Sequence, residues 1–240
     1  MRLSVMAGPQ TLRLVDRKHE LYDDLRGSDV PVPPYRVFRT ADEFDQAVME
    51  LEATNRRLCV KPSVGVYGAG FRILERDGCE MKRILSGENV RTSFDAFRSA
   101  LLSSAQERDL MLMAYLPGTE RSVDVLAQGG RMVCAVSRVK FGSHQILETY
   151  GLSITIAEML TVRYGLDGMF NVQTKESEDG TPYLLEINSR MSGGLIYSCH
   201  SGVPFPYWAI MLAAGEATPE DLPIPSPGRR IAPVQGCLRL

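Results

Sequence analysis

The sequence predicts an α+β protein of two lobes, and three observations carry that reading. In the first half, segments of helical period alternate with short runs rich in β-formers. From Leu110 onward, three apolar segments, LMLMAYL, RSVDVLA and RMVCAVSRV, follow one another across the turn signals Pro117-Gly118-Thr119 and Gly129-Gly130. The composition is that of an ordinary globular chain, 44% hydrophobic and 23% charged over 240 residues, enough for one large domain or two smaller ones with their own cores. The boundary is expected between Leu110 and Pro117. It would leave 16–112 as one lobe and 113–240 as the other.

Taken in order, DRKHELYDDLRGS reads as a helix, closed by Gly27 and by the extended segment VPVPP, because proline pushes its predecessor into β geometry. YRVF is a strand. Thr40 and Glu43 form a capping box ahead of the helix FDQAVMEL. The strand RLCVKP runs into the glycine-rich SVGVYGAGF and a further strand, RIL. A helix is expected from Ser93 to Gln106, followed by the three apolar segments as an antiparallel meander. A polar loop covers Phe141 to Tyr150 and a helix Leu152 to Tyr164. GMFNVQTK and PYLLEIN then make a hairpin around Asp179-Gly180. A glycine-rich loop, the buried helix PFPYWAIMLAAGE and a proline-rich tail close the chain. No internal repeat or low-complexity block is visible.

Composition removes several classes of function. The 27 basic and 29 acidic residues give a net charge of −2, too weak a field to attract nucleic acid or an anionic membrane, so an anion site must be local. No apolar run approaches the roughly 18 to 20 residues that span a bilayer, and the N-terminus has no secretory apolar region, which predicts a cytoplasmic protein. Cys59, Cys79, Cys134, Cys199 and Cys237 are far apart with no CxxC pair, the pattern of reduced thiols rather than of a zinc site or disulfide framework.

Three places have the residues for chemistry. Lys61 ends a strand just before Gly65, Gly68 and Gly70, where glycines let backbone amides approach a phosphate; a plain glycine-rich hairpin is the other reading. Glu186 and Asn188 lie two apart on one strand face, and the hairpin can set Gln173 opposite them, gathering oxygen donors of the kind Mg²⁺ takes. Arg190 follows two residues on. The alternative there is a solvated polar face. MAYLPGTE is either a turn between strands or a connection between lobes whose backbone pairs with an adenine edge while Glu120 accepts from ribose hydroxyls. His144 and His200 are within reach of a substrate, although a lone histidine in a polar loop is usually solvated.

In this order, the segments resemble the ATP-grasp superfamily from about Asp16 to Gly215. RKHELYDDLRGSDVPVPP is similar to the family's opening and sets Lys18 as the first phosphate-contacting lysine; Lys61 in VKP matches the second. The glycine-rich stretch with Gly68 and Gly70 matches the mobile loop over the phosphates. MAYLPGTERSVDV resembles the family's nucleoside segment, which implies adenine contacts from the backbone of Ala114 and Leu116 and a ribose contact from Glu120. Met113 stands where the family usually has glutamate, and Arg17 where it usually has aspartate. FNVQTK with LLEINSR is most similar to the ATP-binding domain of the carbamoyl phosphate synthetase large subunit. That likeness implies Gln173, Glu186 and Asn188 as metal ligands and Arg190 on the transferring phosphoryl group, with Ser189 in place of the usual proline. In AVSRVKF, Arg138 or Lys140 would face the γ-phosphate or acyl phosphate.

The resemblance implies an ATP-grasp fold, two α+β lobes with antiparallel sheets holding ATP between them. It also implies Mg²⁺, with Mn²⁺ as a substitute, and a small-molecule carboxylate joined to an amine or similar nucleophile through an acyl phosphate. Catalysis would be positioning and charge neutralisation. Only about fifteen residues precede Lys18, where family members carry a further α/β domain, which implies that residues 1–15 are a remnant of or link to that domain, and that either the module is excised or shortened or a dimer mate or partner chain completes the substrate site. A kinase of the same fold and a nucleotide-binding module without turnover are the alternatives. Gln173, Glu186, Asn188 and Arg190 together argue against the latter, since a module that only binds nucleotide has less need of a metal set.

Overall fold

A computed structural model describes residues 6–54, 57–65, 68–103 and 108–234. It divides into two units, one of Arg17–Arg26 and Val32–Leu116, the other of Met1–Asp16, Gly27–Pro31 and Pro117–Leu240. In chain order, α1 (Pro9–Asp16) and α2 (Lys18–Asp24) precede β1 (Tyr35–Phe38), α3 (Ala41–Glu52), β2 (Leu58–Pro62) and β3 (Arg72–Glu75). Next come α4 (Glu80–Ser86), β4 (Arg91–Ser93), α5 (Phe94–Ser103) and β5 (Leu110–Ala114). After them run β6 (Glu120–Gln128), β7 (Arg131–Phe141), β8 (His144–Glu148) and α6 (Leu152–Tyr164). The hairpin β9 (Gly168–Glu176) and β10 (Pro182–Asn188) leads to α7 (Leu195–Cys199), α8 (Phe205–Ala214) and β11 (Arg230–Ile231).

The unit that holds α3 is built on a five-stranded sheet of order β1-β5-β2-β3-β4, antiparallel except for the β3–β4 pair. Helix α3 starts where the sequence says it should. Thr40 Oγ1 accepts from Glu43 N at 3.2 Å, and Glu43 Oε2 accepts from Thr40 N at 3.1 Å, so two otherwise orphaned donors are satisfied reciprocally. Its buried Phe44, Ala47, Val48 and Leu51 form one stripe that packs on Phe38, Leu58, Val60 and Leu112 of the sheet. Phe38 and Phe44 meet with ring centroids 5.2 Å apart.

The other unit has a six-stranded sheet of order β10-β9-β6-β7-β8-β11, with every pair antiparallel. Helix α6 lies against one face, where Ser153 Oγ and Thr174 Oγ1 are 2.8 Å apart, and it ends at Gly165 in the left-handed region (φ +58°). At one end of the opposite face, Leu126, Cys134, Val136 and Leu147 are covered by Leu195 of α7, by Val203, and by Phe205 and Leu212 of α8. The rest of that face is polar. Among the described residues no helix is long and apolar enough to cross a membrane.

Several expectations need correction. The three apolar segments are not one meander: β5 pairs with β1 and β2 in the five-stranded sheet, and β6 and β7 form a hairpin in the other. All three are equally apolar, and sequence alone does not say which sheet buries them. The supposed polar loop from Phe141 contains β8, turned tightly back on β7 through Gly142 (φ +41°), its polar residues sharing a face with polar partners. Residues 16–28 do not form one helix, since Arg17 is extended (φ −105°, ψ 94°) between α1 and α2. Elements α4, β4 and α7 carry no clear apolar period and were not anticipated. Helix α5 begins one residue after Ser93, whose Oγ accepts from Ala96 N at 3.1 Å; its expected end at Gln106 lies outside the described residues. Helix α8 is not wholly buried, because Tyr207 and Ile210 are exposed.

Two outcomes follow from these contacts. Phe44→Ala should cost about 3–5 kcal/mol by urea denaturation, as for a fully buried aromatic; a loss below about 1 kcal/mol would contradict its central place in the core. At the β9–β10 tip, Asp179 Oδ1 accepts from Ser177 Oγ at 2.6 Å and Thr181 N at 2.9 Å, which lowers its pKa from 3.8 to about 2. A depressed carboxylate stabilises the fold above its unfolded pKa, and that contribution is lost as pH falls from about 4 through about 2. Asp179→Asn should therefore flatten the stability profile in this window, and an unchanged slope there would count against the turn.

Candidate functional site

Strand register places six of the singled-out residues on one face of the six-stranded sheet. Glu186 is paired with Gln173, Gln173 with Ser122, and Ser122 with Arg138, so these four form a row across β10, β9, β6 and β7. Asn188, Asn171 and Asp124 form the next row towards α7. On the other side, Glu120 sits opposite Lys175 and forms an ion pair with Lys140. Directly opposed residues in an antiparallel pair share a face, so oxygen donors, carboxylates and cations all emerge together.

This arrangement depends on one extra residue. Leu184 is opposite Thr174, yet Glu186 is opposite Gln173, so Leu185 is a bulge. It lets Leu184 and Ile187 turn into the α6 side, at 0% and 3% exposure, while Glu186 and Asn188 reach the polar face. Without it Glu186 would oppose Val172, whose side chain is buried. Asn188 Nδ2 donates to Glu186 Oε1 at 3.0 Å, and Arg190 Nη2 donates to Asn188 Oδ1 at 3.4 Å. The three groups named from sequence at the end of this strand are thus neighbours.

Behind them lies a network the sequence analysis did not single out. Asp124 is 1% exposed; its Oδ2 accepts from Arg138 Nε at 2.9 Å and Ser198 Oγ at 2.6 Å, and its Oδ1 accepts from Asn171 Nδ2 at 2.9 Å. Asn171 Nδ2 also lies 3.0 Å from Ser122 Oγ. Arg138 is 3% exposed and also donates to Ser122, Gln145 and Ser192. A signal was present: Ser122-x-Asp124 and Asn171-x-Gln173 put polar residues at period two inside apolar runs. Of the two cations offered for phosphate contact, Arg138 is therefore buried and Lys140 is paired with Glu120, the residue assigned to ribose.

The other unit brings together the lysines and glycines. Lys18 is 7% exposed, its Nζ donates to Gly65 O at 3.1 Å, and its backbone N donates to Ser63 O at 3.1 Å. Lys61 Nζ donates to Tyr22 OH at 3.2 Å and lies 5.4 Å from the Tyr22 ring centroid. His19 Nδ1 and Ser63 Oγ are hydrogen-bonded, a pairing not anticipated. Gly68 and Gly70 have φ of +67° and +79°, and a Cβ on Gly70 would come 2.8 Å from Pro62 Cγ, so both fold and backbone demand glycine at 70. Val66 and Tyr67 of the glycine-rich segment lie outside the described residues. Ala114 N donates to Pro34 O at 3.0 Å and its carbonyl accepts from Cys59 Sγ at 4.0 Å; Leu116 is 6% exposed.

The donor set suits a hard cation of modest affinity. Gln173, Glu186 and Asn188 offer one carboxylate and two carboxamides, all oxygen, on rigid strands. Among the described residues no three His, Cys, Asp or Glu side chains gather as a metal site.

Known proteins share this fold. A family described as "ATP-grasp in the biosynthetic pathway with Ter operon" matches residues 106–237. The carbamoyl phosphate synthase large chain of Xanthomonas campestris pv. campestris is 24% identical over 214 residues, 86% of this chain and 19% of that one. The ADP complex of purK, N5-carboxyaminoimidazole ribonucleotide synthetase, superposes with a TM-score of 0.62 at 16% identity, over 92% of this chain and 55% of that one. The ATP-grasp ligase PsnB, complexed with a phosphomimetic variant of its minimal precursor, Mg and ADP, gives 0.57 at 19% identity, over 88% and 63%. The chain spans about a fifth of that synthase and less than two thirds of either ligase. With more than half of its residues matched by the family, and with the fold shared, this chain belongs to the ATP-grasp family of proteins associated with the Ter operon.

Proposed function

We propose that this chain binds ATP with Mg²⁺ and works as a ligase, activating a small-molecule carboxylate as an acyl phosphate for attack by an amine or similar nucleophile. The observation that carries the reading is the pairing of Glu186 with Gln173, one row from Asn188, on a face that also bears Arg190. Both solved structures named above carry ADP, and that of PsnB also carries Mg. When bound, the metal supplies charge neutralisation at the phosphates, and Gln173, Glu186 and Asn188 would hold it. With a single carboxylate among the three, most of its affinity would come from nucleotide oxygens.

The residues of the chain divide the remaining work. Lys18 and Lys61 neutralise phosphate charge, and the backbone amides around Gly68 and Gly70 approach the same oxygens. Glu120 receives the ribose hydroxyls, which requires it to exchange its ion pair with Lys140 for the nucleotide; Lys140 is then released towards the phosphates. The Ala114 carbonyl and the Leu116 backbone take the adenine edge. Arg190, exposed at the end of β10, offers the planar fork that suits a phosphoryl group in transfer. No residue of the set acts as a general base, so positioning and electrostatics supply the rate.

Glu186→Ala is the deciding variant. Calorimetric titration with AMP-PNP, with and without Mg²⁺, should show metal-dependent binding to the wild type that weakens by at least about tenfold in the variant. The urea midpoint should stay near that of the wild type, since Glu186 is only half-buried. Equal binding by the two proteins, or binding indifferent to Mg²⁺, would refute the assignment; carboxylate-dependent ADP release would then separate ligase from passive binder.

A further inference from the structure

We propose that Arg138 is a positioning residue: its guanidinium latches the Ser192–Gly194 loop onto the sheet and thereby fixes Arg190, the group assigned to the transferring phosphoryl. The role rests on the ligase reading of this face.

Four of the five guanidinium N–H groups are already taken: Nε by Asp124, Nη1 by Gln145, and Nη2 by Ser122 and Ser192, each at 2.8–2.9 Å. Three of these acceptors belong to β6 and β8, the floor. The fourth, Ser192 Oγ, belongs to the loop. Gly194 lies directly on the fork, since a Cβ there would overlap the Arg138 guanidinium. The far end of the same segment is tied to the same ion pair, because Ser198 Oγ donates to the Asp124 oxygen that also receives Arg138 Nε. The run from Ser192 to Ser198 is thus pinned at both ends on one buried charge pair.

Arg190 stands between this latch and the sheet. Asn188 is held in the β10 ladder, opposite Asn171, which donates to the second Asp124 oxygen. Only Ser189, Arg190 and Met191 separate that ladder from Ser192. With backbone fixed on both sides, the exposed Arg190 guanidinium keeps a narrow range, within reach of Asn188 Oδ1 and Met191 O. A direct phosphate contact by Arg138 would need the loop lifted and the anion set beside the Asp124 carboxylate, which disfavours it.

The test uses Ser192→Ala, which removes one acceptor and leaves Arg138 in place, with Ser192→Thr as the variant that keeps the hydroxyl and Arg138→Lys as the variant that loses the fork. Hydrogen exchange of the amides from Gly193 to Ser198 should rise about tenfold in Ser192→Ala and in Arg138→Lys and stay at the wild-type level in Ser192→Thr. Exchange in β6 and β7 should not change in Ser192→Ala or Ser192→Thr. In ADP release from Mg²⁺·ATP, Ser192→Ala should lower kcat about tenfold with KM for ATP within about twofold, and Ser192→Thr should restore it. Unchanged exchange in Ser192→Ala, or faster exchange with an unaltered kcat, would overturn the latch. A tenfold or greater loss of Mg²⁺·AMP-PNP affinity confined to Arg138→Lys would make Arg138 a phosphate contact instead. Wild-type protein that neither binds Mg²⁺·AMP-PNP nor releases ADP would refute the ligase reading itself, and the catalytic purpose of the latch with it, whatever the exchange data show.

Discussion

The face that a β10 side chain takes is decided by Leu185. A strand alternates strictly, so Leu184 and Glu186 would otherwise share a side, and the sheet has to bury one while presenting the other. The bulge resolves this conflict with a single unpaired residue. It leaves Leu184 and Ile187 among the apolar residues below the sheet, and sends Glu186 and Asn188 to the side of Gln173. Everything proposed for the metal and for Arg190 inherits that choice, since both follow the same strand. The constraint works in reverse as well. Burial of Leu184 at 0% exposure holds the register that exposes the carboxylate, so core packing and site geometry are enforced by the same contact.

Polar density on the face that bears Glu186 and Asn188 creates a second requirement. Ser122, Asp124, Asn171 and Arg138 are all nearly or wholly buried, and an unpaired charge among them would cost several kcal/mol. They are reconciled because the acceptors of Asp124 match the donors of Arg138, Asn171 and Ser198, and the carboxamide of Asn171 bridges to Ser122. Such a network has few alternative arrangements, since rotating one member orphans another. Rigidity of that kind suits a site whose work is to hold charges at fixed distances, whereas an apolar core of equal volume would be adequate for stability alone.

Much of this was legible beforehand, for identifiable reasons. The capping box at Thr40, helix α6 and the β9–β10 hairpin rest on local rules of capping, period and turn chemistry, and each came out within a residue or two of its expected bounds. That the strands of Gln173 and Glu186 are neighbours was readable from the hairpin, but the register that sets the two opposite was not, since it depends on the bulge at Leu185. What local reading lacked was the partner. Strand β5 looks like β6 and β7 but pairs with β1 and β2, and β8 looked like a loop because its polar residues await polar neighbours on β7. Asp124 went unnoticed for the same reason: in RSVDVLA it is one charge in an apolar run, and its meaning comes from Arg138, Asn171 and Ser198, at sequence separations of 14, 47 and 74. The bulge at Leu185 leaves no composition signal at all.

The chemistry of the donors sets the order of events that the proposed reaction would follow. A metal set with one carboxylate and two carboxamides has little charge of its own, so it favours the cation chiefly when phosphate oxygens are present. Glu120 and Lys140 already neutralise one another, and a nucleotide that draws Glu120 to ribose liberates a cation nearby. Both effects make nucleotide arrival the step that charges the site. Before it, the polar face is close to electrically balanced, with Asp124 against Arg138 and Glu120 against Lys140. A balanced face has no strong pull on stray anions, and Lys140 would become effective only together with the ligand it is proposed to meet. On this argument, the proposed preference for a metal–nucleotide pair over free phosphate would reside in the Glu120–Lys140 pair that the ligand would exchange as much as in the residues that would touch it.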